Sequence, residues 1–228
     1  MFDFTPLDYV ALGLFALAWV VYYIYLEFTQ RGGLNAIMHE ARVTWMRQMY
    51  HRENRILDGQ IMGGLQNGTA FFASSSLLAI GGTLSALGTT DTALEVLTHL
   101  PLASQTTRAT FEIKVLGLAL IFAYSFFKLV WSYRLFNYVA ILIGATPIAG
   151  SVTDAEAEIA IQRAARMNMA AARQFNRGLR AFFFAIAYLG WFAGPLVLMV
   201  TTLIVTIVLW RRQFASDSVE AASFGGEA

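Results

Sequence analysis

The chain of 228 residues contains no cysteine. That one absence excludes disulfides, thiolate zinc sites, iron–sulfur clusters and a cysteine nucleophile together. Histidine is nearly as scarce, with His39, His51 and His99 the only copies, none inside an apolar run. A haem held between spans and a Ser-His-Asp arrangement within the bilayer therefore have no histidine to use. The pairs His39–Glu40 and His51–Glu53 lack the HExxH spacing, and glycine-rich phosphate loops are missing. No metal, no cofactor and no catalytic residue is expected, and an enzyme is disfavoured. Charged residues make up only 14% of the chain with a net charge of +1, so nothing indicates a nucleic-acid partner.

What is abundant is apolar surface. Hydrophobic residues reach 57% and mean hydropathy is +0.55, far from soluble averages. A hydrocarbon core of roughly 30 Å takes about 20 helical residues, and four runs are long enough: 7–28, 61–87, 113–133 and 181–210. The first is too long for a signal peptide and follows Asp3 and Asp8 rather than a basic segment, so it is expected to be retained. The fold class expected is an all-α integral membrane bundle of about four transmembrane helices, forming a single domain over 1–215, with a disordered tail at 216–228. Gly190, Gly194 and Pro195 mark where the fourth span could bend.

Arginine placement sets the orientation, because short loops rich in Lys and Arg stay cytoplasmic. Arg31, Arg42, Arg47, Arg52 and Arg55 lie between spans one and two, and Arg163, Arg166, Arg173 and Arg177 between spans three and four. Both loops are read as cytoplasmic in a bacterial inner membrane, with both termini outside. Arg211 and Arg212, after the fourth span, are the feature that opposes this topology. In the first loop Leu34, Ile37, Met38, Ala41, Trp45 and Met49 form a helical apolar stripe. Two readings stay open. The helix lies on the inner leaflet, with Trp45 at headgroup depth and Arg42 and Arg47 on anionic lipid, or it packs on a neighbouring helix. Thr153 and Glu156 at capping-box spacing open an alanine-rich helix in the second loop, and Thr92 and Glu95 suggest a short helix ending at Pro101.

Four blocks carry a resemblance to a known family. They are Arg42, Trp45, Met46, Met49, Arg52, Arg55 and Asp58 before span two, then FFASSSLLAIGG over 71–82, FFKLVWSYRLFNY over 126–138 and FNRGLRAFFFAIAYLGWFAGP over 175–195. Together the chain resembles the four-helix membrane family known as domain of unknown function 599. The resemblance implies the membrane fold and transfers no catalytic residue.

Ionisable residues in a span are functional-site candidates because they are costly there. Lys128, Arg134, Glu27 and Asp58 are expected at similar depth, with Asn67, Asn137 and Arg180, as a charged inner vestibule in which Lys128 pairs with Glu27 or Asp58. Interhelical salt bridging explains the same residues. Ser75, with Ser74 and Ser76, could line a water path or bond back to helix carbonyls. Gly59, Gly63, Gly64, Gly68, Gly81 and Gly82 allow close helix approach within or between subunits. Two functions follow as expectations: a small homo-oligomeric channel- or carrier-like protein, or an accessory protein that docks on a larger membrane complex or organises lipid.

Overall fold

The computed structural model describes residues 3–28, 33–98 and 107–223, with the side chains of 27–28 and 96–98 outside that description. Eight helices appear in the described residues: α1 (Pro6–Phe28), α2 (Leu34–His51), α3 (Ile56–Gly88), α4 (Thr90–Thr98), α5 (Arg108–Ala145), α6 (Asp154–Ala193), α7 (Pro195–Phe214) and α8 (Asp217–Ser223). No strand occurs among them. Pro6–Leu26, Ile56–Gly88, Arg108–Ala145 and Pro195–Ser223 are long and apolar enough to cross a membrane. The side chain of Glu27, the helix end expected at Pro101 and residues 224–228 lie outside the described residues. Within the tail, α8 replaces the expected disorder over 217–223.

Two compact units divide the chain, one of Met1–Gln30, Ser75–Ser125 and Arg180–Arg212, the other of Arg31–Ser74, Phe126–Leu179 and Gln213–Ala228. In the first unit, Phe15 and Tyr22 of α1 pack with Leu118 and Phe122 of α5 and with Phe184, Tyr188 and Trp191 of α6. Aromatic edges meet faces here, as between Phe15 and Phe184 at 5.7 Å. A Cβ on Gly117 would lie 2.1 Å from the Tyr188 hydroxyl, so any larger residue there would force the Tyr188 ring to move.

The fourth expected span is two helices. Gly194, at φ 141°, takes a conformation that L side chains avoid, and Pro195 opens α7 without a backbone N–H. The chain turns back there: Thr201 Oγ1 donates to Ala187 O at 2.8 Å, and a Cβ on Gly190 would stand 2.5 Å from Thr201 Oγ1. Trp191 lies near the hairpin tip and bonds Asp8 at the start of α1. Trp210, at the far end of α7, stacks on Tyr25 at the end of α1, 4.8 Å between ring centroids.

This corrects the expected topology. In the second unit the last residues of α7 lie against the start of α2, with Gln213 O 2.8 Å from where a Cβ on Gly33 would stand, and α2 contacts α8. The tail from Gln213 therefore sits with the arginine-rich segments of its own unit. A reporter fused after Ser223 should read the same side of the membrane as one inserted at Ser151, with an amino-terminal reporter on the opposite side. Opposite readings for the first two would mean that the apolar run from Ala181 to Ala193 does not cross.

The carboxyl-terminal part of the α2 apolar face is covered by protein, while Met38 and Ala41 nearer its start are exposed. Met46, Met49 and Tyr50 are buried with Met62 of α3, Phe136 and Val139 of α5 and Ile161, Ala164 and Ala165 of α6, and Trp45 packs against this cluster. The capping box of α6 forms as its spacing predicts: Thr153 Oγ1 donates to Glu156 Oε2 at 2.8 Å and Glu156 N to Thr153 Oγ1 at 3.4 Å. The Thr153 backbone N–H, which donates to Glu156 Oε2 at 3.0 Å, and then the Thr153 hydroxyl hold the Glu156 carboxyl below its ordinary value.

Candidate functional site

Three groups of polar residues stand apart from the apolar packing. The first closes the lower end of the second unit. Asp58, in the first turn of α3, is fully buried, and its Oδ1 accepts from Trp45 Nε1 at 2.7 Å and from Arg52 at 2.5 Å. A carboxylate there also faces the positive end of the helix dipole. Asp58 thus takes Arg52 as its counter-ion where the sequence suggested Lys128. Arg55 donates to the carbonyls of Ile143, Thr146 and Pro147, satisfying the C-terminal acceptors that α5 leaves open. Deeper in the unit, Gln66 bonds Asn137 at 2.7 Å and Ser132 bonds Ala171 O at 2.8 Å.

Sequence reasoning missed the second group. At one end of the first unit, Asp8, Lys114 and Trp191 are each buried. Trp191 Nε1 donates to Asp8 Oδ1 at 2.7 Å, while Lys114 Nζ donates to Trp191 O at 2.9 Å and lies 5.0 Å from the Trp191 ring centroid. Thr5 completes a capping box with Asp8. The available signal was Thr5-x-x-Asp8 before an apolar run.

The third group is a face of α3. On the part of α3 in the second unit, Gln60, Asn67 and Ser74 are exposed at a spacing of seven residues, and none makes a hydrogen bond among the described residues. The glycines beside them, Gly59, Gly63, Gly64 and Gly68, have open space where a Cβ would stand. The buried residues Asp58, Met62 and Thr69 occupy the opposite face. In the first unit, Gly81 and Gly82 are equally open. Among the described residues, the glycines expected to bring helices together therefore pack on nothing. From Gly59 to Gly88 α3 carries no charge.

The expected vestibule residues fall in both units. Lys128, Arg134, Asp58, Asn67 and Asn137 belong to the second unit, Arg180 and Ser75 to the first. Arg134 is exposed and bonds Tyr138 OH at 2.7 Å, and Asn67 lies on the open α3 face. Ser75 is partly exposed beside Ser76, whose hydroxyl meets Ser125 Oγ at 3.3 Å. Among the expected membrane-surface residues, Trp45 is engaged by Asp58, and Arg47 pairs with Glu158 of α6 at 3.1 Å. The Gln162 amide and Arg47 hold the Glu158 carboxyl below its ordinary value.

A family model described as "Protein of unknown function, DUF599" matches residues 10–218. The chain belongs to this family. The DUF599 match runs from α1 into α8 and so takes in all three polar groups except Thr5 and Asp8. No curated protein and no solved structure matches the chain. Among the described residues no cluster of His, Asp and Glu could hold a metal ion.

Proposed function

We propose that the protein is a homo-oligomeric, channel- or carrier-like membrane protein whose subunits meet along α3. The observation that carries this reading is the open face of Gln60, Asn67 and Ser74 flanked by glycines. Unbonded amides facing hydrocarbon cost several kcal/mol each, so this face needs either water or polar partners from another chain. Each helix-interior glycine costs about 1 kcal/mol relative to alanine, a loss offset where another backbone comes close. Seven-residue spacing keeps a stripe aligned along a left-handed helix crossing, the commonest geometry between membrane helices. Around a symmetry axis such stripes line a path with amides and hydroxyls. An uncharged lining favours small hydrophilic solutes over strongly charged ones. Asp58, held by Arg52 and Trp45, keeps the helix ends in place in this reading and does not line the path.

Because the chain has no native cysteine, single cysteines report contacts directly. Gly63→Cys and Asn67→Cys should give disulfide-linked dimers on oxidation in native membranes, whereas Met62→Cys and Thr69→Cys, on the buried face, should not. In proteoliposomes, Asn67→Leu should lower solute flux at least severalfold. Cross-linking without flux would favour the accessory role, and no cross-linking from the open face would remove self-association along α3.

A further inference from the structure

We infer that the seam between α2 and α6 is a binding site for the phosphate group of an anionic lipid. The two helices run antiparallel, clamped at one end by Asn176 Nδ2 on Asn35 Oδ1 at 3.1 Å and at the other by Arg47 on Glu158 at 3.1 Å. Between the clamps α2 changes character. Its carboxyl-terminal half turns Met46, Met49 and Tyr50 into the apolar core. Its amino-terminal half places His39 and Arg42 four and seven residues after Asn35, so helical periodicity carries them on the side that faces α6. On α6, Arg173 precedes Asn176 by three residues and falls beside that clamp.

These cations lack matching carboxylates. The hydrogen bond that the Arg42 guanidinium makes goes to the Met38 carbonyl at 3.1 Å. Neither Arg42, Arg173 nor His39 makes an ion pair among the described residues. Desolvation pulls the His39 imidazole below its ordinary value, Arg173 and Arg42 add to this, and Glu40 opposes them only in part. Desolvation likewise lowers Arg42. Two guanidiniums and an imidazole that face one another with no ion pair among the described residues are arranged for an anion, and forked guanidiniums suit phosphate oxygens.

Depth selects the source of that phosphate. Arg173 precedes Ala181, where the apolar run of α6 begins, by about two turns or ~12 Å of helix rise. The polar headgroup layer is about 5–7 Å thick on each side, so Arg173 stands just outside it with a side chain long enough to reach back to the phosphates, and arginine near an anionic leaflet contributes about 1 kcal/mol. The arginines here hold a phosphate between two helices, which differs from an apolar helix floating on the leaflet, since Met46, Met49 and Tyr50 of α2 are already buried in protein. This site is independent of the α3 face.

The test compares purified full-length protein in nanodiscs of phosphatidylcholine alone with nanodiscs containing phosphatidylglycerol, reading lipid retention by native mass spectrometry after release. The expected result is preferential retention of phosphatidylglycerol, weakened about fivefold by Arg173→Gln and further by adding Arg42→Gln. Arg163→Gln, on the outer side of α6, should leave retention unchanged. Arg173 is exposed and holds no partner within the described chain, so its variant should fold normally. Equal retention of the two lipids, or wild-type retention in Arg173→Gln with Arg42→Gln, would overturn the site. If inorganic phosphate at millimolar concentration displaced the lipid completely, the site would belong to soluble phosphates and the lipid assignment would fail.

Discussion

Asp8→Leu should lower the melting temperature in detergent by on the order of 10 °C. The change removes the acceptor for the Trp191 indole N–H and leaves the Lys114 ammonium, 3% exposed, without the carboxylate that offsets it. Stranding one member of a buried charge group costs about 3–5 kcal/mol, and a domain of this size moves by roughly 2–4 °C per kcal/mol. Lys114→Met alone should cost less, because Asp8 keeps Thr5 and Trp191 as donors. The double change should recover part of the Asp8→Leu loss, since it removes the stranded ammonium. Strict additivity in that cycle would show that Asp8 and Lys114 act independently. Phe4 stacks on Trp191 at 5.7 Å, so the same variant should loosen the amino-terminal turn and raise its hydrogen exchange.

A second large loss is expected at the other polar anchor. Asp58→Leu deprives both Trp45 Nε1–H and Arg52 of an acceptor, at a site with no solvent access for the carboxylate. Arg52 is 37% exposed and can turn to water, so the cost should sit near the lower end, about 3 kcal/mol. Because α2 is joined to α3 through this contact, proteolysis between His51 and Ile56 should accelerate in the variant. Asp58→Asn keeps an acceptor for Trp45 and should fall between the wild type and Asp58→Leu. A silent Asp58→Leu, with unchanged melting and cleavage, would show that the apolar packing of Met46, Met49 and Met62 alone holds α2 in place.

Local chemistry determined much of this protein from the sequence. The apolar runs fixed the helical membrane class because a lipid-spanning backbone must satisfy its own hydrogen bonds. Thr153 and Glu156 fixed the start of α6 because a capping box involves four consecutive residues and no distant partner. Gly194 and Pro195 were legible as a weak point, but a bend and a reversal differ only in what the following residues touch. Thr201 meeting Ala187 made it a hairpin and thereby moved the tail to the arginine-rich side. Counter-ions were likewise undecided by depth along the chain. Helix rise put Lys128 and Asp58 at similar levels, whereas the turn between α2 and α3 brought Arg52 within reach of Asp58 from six residues away. The pairing of Asp8 with Trp191 spans 183 residues and depends on three helices converging, so no window of sequence contains it. The glycines of α3 show the same division: their spacing announced a close helix contact, and only the tertiary structure showed that, among the described residues, nothing fills the space beside them, with Asp58, Met62 and Thr69 buried on the opposite face.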